Sequence, residues 1–455
     1  MKLPETAPTA ATPPALPEQH ELAELVAQLL SEAQQRGASA AEAAVSYNHG
    51  LSVSVRMGEV ETLEHHRSRG LGITVYFGQR KGSANTSDWK PQALLDTVAA
   101  ACDIARYTEP DPCAGLADPE RLARQIPDLD LYHPWSLSPE QAIEQARACE
   151  DAARAHDDRI RNSEGASIAT SSGLMYYGTS HGFSAGYPSS RHSLSCSVIA
   201  QDDSGMQRGN WYTVARAATE LQDEAEVGLA AASRALRRLG SRRLGTRQAP
   251  VLLVPEIARG FLSHLIGAVS GSALYRKASF LRDQLGQPVL PDWLSLREEP
   301  HLPRALASAP FDAEGVATAA RDLVGNGILQ GYVLNSYAAR RLGMASTGNA
   351  GGIHNLLATP GAQDFDGLLR QMDTGLVVTH LMGQGVNLLT GDYSRGASGF
   401  WVERGEVQYP VEEITIAGDL RQMLRTIVAH GNDIDTRGAI RCGSLLLDTM
   451  TIAGE

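Results

Sequence analysis

Short runs of alternating apolar and polar residues, separated by glycine-rich turns, recur along much of this 455-residue chain. In the first run Leu51, Val53 and Val55 alternate with polar residues, and Gly58 supplies a turn to a returning strand. Such period-two patterns predict strands that bury one face. Beyond residue 310 the short runs and glycine turns become dense, which indicates a curled sheet or a small barrel.

Helices alternate with these strands, so the sequence predicts an α+β protein. Apolar residues at three- and four-residue steps predict a first helix over residues 22–33, which Gly37 can end. Ser138, Pro139 and Gln141 predict a second helix start, with a serine cap, a proline at the first position and a capping box. We expect N-terminal α/β units with mixed or antiparallel sheets, followed by a C-terminal strand-rich curled sheet or barrel-like domain.

Composition and pattern divide the chain into five segments. Residues 1–19 are rich in Pro, Ala and Thr and are predicted to be a disordered tail. Residues 20–108 are predicted to form an N-terminal α+β domain, and the Pro- and Asp-rich residues 109–136 a linker. Residues 137–247 are predicted to form a central α+β domain, in which glycine, serine and aspartate break residues 167–215 into short strands. Residues 248–455 are predicted to form a C-terminal β-rich domain.

The charge balance argues against a nucleic-acid partner, and the distribution of apolar residues argues against a membrane. The net charge is −12 and the pI is about 5.6, whereas phosphate contacts need clustered Lys and Arg. The longest basic cluster, over residues 237–247, follows an apolar helical run, which favours a solvated helix end over a phosphate site. No stretch approaches the roughly 18 apolar residues that span a bilayer. We therefore expect neither a nucleic-acid partner nor a membrane.

The cysteines indicate the compartment. They are odd in number and widely spaced, and no C-x-x-C pair occurs among Cys102, Cys113, Cys149, Cys196 and Cys442. This usage is typical of a reducing compartment and argues against a zinc finger. The N-terminus also lacks the apolar segment of a signal peptide. We expect the protein to be cytoplasmic.

Three short motifs have ordinary explanations. Residues 178–182 fit G-x-S-x-G, but a nucleophile elbow needs a helix after the serine, and glycine and proline follow here, so a glycine-rich hairpin is the better interpretation. Residues 383–388 are similar to a dinucleotide loop but lack its third glycine and a surrounding βαβ unit. His264 lies on a helix predicted over residues 256–269 with no carboxylate on its face, a pattern typical of an ordinary packed or surface histidine.

Several longer segments resemble the PmbA/TldD family of metallopeptidases. The strongest are MGQGVN at residues 382–387 and TGDYSRGASGFW at residues 390–401, and others lie at residues 70–76, 79–83, 275–277, 409–418 and 450–454. The resemblance extends over nearly the whole chain after residue 20, and the run at residues 390–401 is similar to the PmbA/TldE branch. It implies a three-part architecture and a cytoplasmic heterodimer with a zinc-bearing TldD-type subunit.

The resemblance also implies that this chain lacks the catalytic centre. TldD-type subunits carry an H-E-x-x-x-H helix, in which two histidines hold zinc and the glutamate acts as general base. A comparison anchored on Arg276 puts the two ligand positions at Ser263 and Ala268 and the base position at His264. The family's zinc-binding cysteine would lie near residues 429–433, which contain none, and Cys442 is out of register. The resemblance therefore implies no catalytic residue and no metal here, with zinc in the partner subunit.

The function implied by the resemblance is a subunit that shapes and completes the peptide channel of a zinc peptidase acting on unfolded peptides. Tyr393, Arg395 and Phe400 are candidates for that channel or for the subunit interface, because aromatic and Arg anchors stand among small residues there. A glycine-rich loop that only turns a corner is the alternative for this segment. The expected partner is a TldD-like subunit, with a homodimer in its absence. A stand-alone hydrolase with an unrecognised site and a substrate-delivery adaptor are the alternative functions.

Overall fold

The computed structural model describes residues 15–454. Predicted tail residues 1–14 lie outside that range. The helices are α1 (Gln19–Gln35), α2 (Pro91–Tyr107), α3 (Pro139–Ala155), α4 (Glu224–Leu236), α5 (Pro255–Ala268), α6 (Gly271–Tyr275), α7 (Ser336–Leu342), α8 (Phe365–Met372) and α9 (Leu420–Arg425). Within the described range, none of these helices combines the length and the apolar character needed to cross a membrane.

The first sheet is antiparallel and joins the two predicted N-terminal units. Its strands are β1 (Ala40–Arg56), β2 (Glu59–Phe77), β3 (Arg80–Thr86), β4 (Ile160–Thr179), β5 (Ser184–Asp202) and β6 (Gly205–Ala215), in the order β3-β2-β1-β4-β5-β6. The central pair is β1 with β4, so residues from segments 20–108 and 137–247 share one sheet. Helices α1 and α2 pack over one half of it, and α3 and α4 over the other half.

The prediction of short strands over residues 167–215 is wrong, because β4 and β5 are 20 and 19 residues long. The glycines that indicated breaks lie inside these strands, where space is short. A Cβ at Gly173 would lie 2.0 Å from the Asn48 Oδ1 atom, and one at Gly186 would lie 2.3 Å from the Met175 carbonyl oxygen. Glycine at these positions allows close cross-strand approach and does not turn the chain.

The outer edge of β2 is unpaired over residues 59–70, because β3 pairs with β2 over residues 71–77 in the described chain. The side chains from Glu59 to Arg69 are exposed and include three glutamates, two histidines and two arginines. Charged side chains along an exposed edge discourage unwanted strand pairing.

The C-terminal part of the chain, over residues 247–453, contains two further sheets. The strands are β7 (Arg247–Leu253), β8 (Leu296–Glu298), β9 (Arg321–Gly325), β10 (Ile328–Leu329), β11 (Leu356–Ala358), β12 (Gly375–Met382), β13 (Asp392–Glu403), β14 (Glu406–Asp419), β15 (Ile427–His430), β16 (Ile440–Arg441) and β17 (Leu445–Ala453). One sheet has the order β10-β9-β8-β11-β16, and the other β14-β13-β12-β7-β17-β15. Because β14 also pairs with β17, the second sheet closes into a ring. The prediction of an α+β fold with a barrel-like C-terminal domain is confirmed.

Arginine side chains in the segment after α4 stack on aromatic rings of the barrel. Three guanidinium groups lie over aromatic rings of β13 and β14, an arrangement that stabilises each pair by roughly 0.5–1 kcal/mol at exposed sites. The pairs are Arg237 with Phe400 at 4.8 Å, Arg242 with Tyr409 at 4.8 Å and Arg247 with Trp401 at 4.9 Å from the ring centroids. Arg237 is the C-cap of α4, and the Arg237, Arg242 and Arg247 side chains stay exposed beside these rings, so the interpretation of residues 237–247 as a solvated helix end agrees with the structure.

Candidate functional site

Helix α5 carries the three positions that the resemblance aligns with a zinc motif. Proline at its first turn suits a helix start, since that position has no backbone donor to lose. Its apolar stripe packs into the barrel core and so determines which side chains face outward. The buried residues of that stripe are Ala258, Phe261, Leu262, Leu265 and Ala268.

The three aligned side chains do not converge. Ala268 is fully buried in the core. Ser263 is exposed, and its hydroxyl donates a hydrogen bond to the Gly260 carbonyl oxygen at 2.6 Å. Helix α5 is a regular α-helix, so positions five residues apart point about 140° away from each other. Only His264, which is partly buried, turns toward the neighbouring strand β13, with its ring centroid 5.9 Å from that of Tyr393.

The three candidate residues on segment 390–401 lie in two separate parts of the structure. The segment is mainly strand β13, so the alternative of a corner-turning loop is wrong. Tyr393 is buried in the barrel core, 6.5 Å from Phe261 between ring centroids, and Arg395 follows it beside His264. Phe400 lies in a separate apolar cluster on the other side of β13.

Three buried polar atoms meet where α5 faces β13. They are the His264 Nε2 atom, the Tyr393 hydroxyl oxygen and the Arg395 Nε atom, and none makes a hydrogen bond of ordinary geometry within residues 15–454, although the Arg395 guanidinium lies close enough to the Tyr393 hydroxyl to oppose the rise in its pKa. Most buried polar atoms in folded proteins have hydrogen-bond partners. This place is therefore the most unusual part of the α5 surface, and it includes the position that the resemblance aligns with the general base.

Among these three groups, only the imidazole of His264 can accept a proton at neutral pH. Burial and the positive charge of Arg395 both lower the pKa of His264, so its ring is neutral at pH 7. Burial raises the pKa of Tyr393 to about 12, although Arg395 opposes that change, so the phenol keeps its proton. A neutral imidazole, a phenol and a guanidinium can donate hydrogen bonds to a substrate, but they do not form a zinc site.

His430 and Cys442, a histidine and a cysteine in the C-terminal part of the chain, are also already in contact with other groups of the protein. The His430 Nδ1 atom lies 2.6 Å from the Thr359 carbonyl oxygen, and its Nε2 atom accepts a hydrogen bond from the Gly443 N–H at 2.7 Å. Cys442 is buried beside the Pro255 carbonyl oxygen, and burial raises its thiol pKa to about 12. Within residues 15–454 no three His, Cys, Asp or Glu side chains are grouped closely enough to hold a metal ion. The residues present do not fit a zinc centre.

The G-x-S-x-G motif is a hairpin turn, as predicted. Residues 180–183 connect β4 to β5, with Gly182 at φ +91° and its N–H donating to the Thr179 carbonyl oxygen. The Ser180 hydroxyl accepts a hydrogen bond from the Ala41 N–H at 3.0 Å. No helix follows the serine in this part of the structure, so it is not a nucleophile elbow.

A second site was not predicted from the sequence. A cleft of about 760 Å³, including its open mouth, lies where β6 and the end of α4 meet the barrel. We name it the arginine cleft, and its lining residues are Arg208, Gly209, Asn210, Arg234, Arg237, Arg238, Val254, Phe365, Val377, Thr379, His380, Phe400 and Val407. The available signal was the run of arginines at residues 234–238, but nothing in the sequence indicates which distant strands it faces.

Three parts of the chain match the three domains of one protein family, in order along the sequence. Residues 41–105 match the PmbA/TldA metallopeptidase domain 1, residues 132–239 the central domain and residues 246–454 the C-terminal domain. The chain is 55% identical to the metalloprotease PmbA of Escherichia coli O157:H7, covering 91% of this chain and 92% of that one. It is 50% identical to the PmbA homolog of Haemophilus influenzae, covering 96% and 97% of the two chains.

Solved structures have the same fold. A candidate modulator of DNA gyrase from Bacteroides thetaiotaomicron superposes with a TM-score of 0.90 at 30% identity, covering 95% of this chain and 98% of that one. TldE from Thermococcus kodakarensis superposes with a TM-score of 0.83 at 21% identity, covering 94% and 100%. The matches to all three family domains, together with relatives of 50% identity or more over nearly the full length, identify this chain as a member of the PmbA/TldD metallopeptidase family.

Proposed function

We propose that this chain is the non-catalytic, TldE-like subunit of a heterodimeric zinc metallopeptidase and that it completes the channel in which unfolded peptides are degraded or processed. The zinc and the general base belong to a TldD-like partner subunit. In this account the present chain supplies binding surface and shape, and it takes no part in activating water.

The proposal rests on the side chains at the three positions of helix α5 that the resemblance aligns with the zinc motif. At the two positions aligned with zinc ligands, Ala268 is a fully buried methyl group and Ser263 is a hydroxyl bonded to its own helix. The His264 ring stands alone between them. Zinc in a catalytic site needs three protein ligands around one point, and this helix offers one. A chain that keeps the family fold without a ligand set is best explained as a supporting subunit.

Strand β6 is the sheet edge nearest the arginine cleft, and two arginine side chains already bind its backbone. It is an outermost strand of the first sheet and borders the arginine cleft. Arg238 donates to the Arg208 carbonyl oxygen at 3.1 Å, and Arg437 donates to the Tyr212 carbonyl oxygen at 2.9 Å. Asn210 lies between these two carbonyls. Peptides commonly bind by adding a strand to an exposed edge, and a peptide that did so here would have to displace these two arginine contacts, so the side chains of the cleft give the better support for peptide binding.

The cysteines support a cytoplasmic location. All five lie within the described residues and none forms a disulfide. Four of them are buried, and free thiols are typical of proteins in a reducing compartment.

Assembly is the first test. The chain and a TldD-type zinc subunit from the same organism would be purified separately, mixed at micromolar concentration and examined by size-exclusion chromatography with light scattering. We expect one complex with one copy of each subunit, because related subunits pair about a pseudo-two-fold axis. The chain alone, run at the same concentration, provides the control and reports whether it forms a homodimer.

Two outcomes would contradict the proposal. Separate elution of the subunits would argue against a heterodimer, and hydrolysis of an unstructured peptide by this chain alone would favour a stand-alone hydrolase. A complex whose peptidase activity equals that of the zinc subunit alone would favour a substrate-delivery adaptor.

A further inference from the structure

The arginine cleft combines an apolar floor with a positively charged wall. Barrel residues Val377, Phe400 and Val407 form part of the floor, and Val254, just before α5, adds to it. The wall carries four guanidinium groups, from Arg208, Arg234, Arg237 and Arg238, and the imidazole of His380, which is neutral at pH 7 because burial and the nearby arginines lower its pKa. Among the described residues, no aspartate or glutamate lines the cleft.

Two of the four arginines already have carboxylate partners. The Arg208 Nε atom lies 2.6 Å from a Glu164 carboxylate oxygen, and the Arg234 Nη2 atom lies 2.6 Å from a Glu256 carboxylate oxygen. Neither carboxylate lines the cleft. These pairs hold their guanidinium groups at the wall while neutralising part of the charge.

The other two arginines have no ion pair within residues 15–454. Arg237 lies over the Phe400 ring at 4.8 Å from its centroid. Arg238 donates to the Arg208 carbonyl oxygen and, at 3.4 Å, to the Ser398 hydroxyl. Burial lowers the pKa of Arg238, while the charge of Glu412 opposes that change. An anion in the cleft would therefore offset the cost of holding this guanidinium away from water.

We propose that the arginine cleft binds the C-terminal carboxylate of a peptide whose last side chain is apolar. A guanidinium matches a carboxylate with two parallel N–H donors, which suits Arg238 with Arg237 beside it. The floor formed by Val377, Phe400 and Val407 suits the terminal side chain. The choice of a peptide as the ligand rests on the proposed function, whereas the preference for an anion with an apolar body rests on the cleft itself.

The direct test is a comparison of two peptides that differ in one charge. Fluorescence anisotropy would measure binding of N-terminally labelled Ala-Ala-Ala-Leu-Leu to the full-length chain at low salt, as the free acid and as the C-terminal amide. Hydrogen bonds between charged groups contribute about 1.5–3 kcal/mol, so we expect the acid to bind at least about tenfold more tightly. Equal affinities for acid and amide, or no binding of either, would overturn the inference.

Substitutions at Val407 locate the site. This residue is 40% exposed at the cleft, so its replacement should leave the fold intact. Both Val407→Asp and Val407→Asn remove an apolar contact of the floor, so we expect each to weaken binding of the acid, and Val407→Asp to weaken it at least about tenfold more than Val407→Asn by charge repulsion. Equal loss in both variants would show that polarity or packing, and not charge, controls binding, and it would contradict a carboxylate site.

A second pair of variants tests the guanidinium directly. Arg238→Gln should reduce affinity for the acid and leave affinity for the amide unchanged. Arg282→Gln is the matched control, because Arg282 is an exposed arginine outside the cleft, paired with Asp283 at 2.9 Å. If Arg238→Gln weakens the acid and the amide equally, the inference is wrong. Because these assays use this chain alone, their failure is distinguishable from failure to assemble with a zinc subunit.

Discussion

At the residue scale, the most informative group is the contact of His264 with Tyr393 and Arg395. Their buried polar atoms make no hydrogen bond of ordinary geometry within residues 15–454, and Arg395 keeps a positive charge beside a neutral ring. The position that the resemblance aligns with the general base therefore carries a neutral imidazole beside a guanidinium, and it has no carboxylate.

The charge of Arg395 makes a prediction for His264. Burial is the larger cause of its lowered pKa and Arg395 the smaller, so Arg395→Gln should raise the pKa of His264 without restoring its ordinary value. NMR of labelled histidine rings over a pH titration measures this change. An unchanged His264 pKa would contradict the geometry, and Arg282→Gln provides the control for loss of a positive charge elsewhere.

The same variant has a predictable effect on stability. A histidine whose pKa is lowered by folding takes up a proton more readily in the unfolded state, so stability falls as the pH decreases through the ordinary histidine range. Raising the pKa of His264 reduces that loss. We therefore expect the Arg395→Gln variant to lose less unfolding free energy than the wild type between neutral pH and pH 5.

Restoring the zinc motif should not restore a zinc site. In the triple variant Ser263→His, His264→Glu and Ala268→His, the two new imidazoles point about 140° apart on a regular helix. The second must also enter a filled core, which typically costs about 1–3 kcal/mol. We expect a lower unfolding free energy in denaturant and substoichiometric zinc after desalting, whereas Ser263→His alone should unfold like the wild type. One retained equivalent of zinc would refute this expectation.

At the element scale, the sequence predicted the start of a helix correctly and the lengths of two strands incorrectly. Helix α3 begins as expected, with Ser138 and Gln141 forming the capping box and Pro139 in the first turn. That signal is complete within four residues. Strands β4 and β5 were divided at glycines that in fact relieve contacts with neighbouring strands, and such contacts depend on pairing that the sequence does not reveal.

Helix-facing glycines make a prediction about packing. A Cβ at Gly82, on β3, would lie 2.1 Å from the Ala101 carbonyl oxygen and 2.4 Å from the Ala105 backbone nitrogen of α2. Gly82→Ala should therefore push the helix from the sheet and lower the unfolding free energy by roughly 1–3 kcal/mol. Gly72→Ala, on β2, is the control because no atom lies within 4 Å of its added Cβ. Equal denaturation midpoints for both variants would argue against this packing.

At the scale of the whole molecule, the alignment with family motifs gave the α5 positions, but it could not give the arginine cleft. Ser263, His264 and Ala268 lie close together in the sequence, so a local comparison was enough to identify them. The cleft needs β6 and the end of α4 together with strands β12 to β14, which begin more than a hundred residues further along the chain. Only the folded arrangement shows that Arg238 faces Val407 and Phe400 across one cavity.

The central claim is a division of labour between two chains, and zinc content with peptidase activity tests it most directly. Each purified subunit and their mixture would be analysed for zinc after brief chelation and assayed on an unstructured fluorogenic peptide. We predict no zinc and no cleavage for this chain, and in the mixture a chelator-sensitive activity higher than that of the zinc subunit alone. One equivalent of zinc retained by this chain, together with chelator-sensitive cleavage in the absence of a partner, would contradict the account.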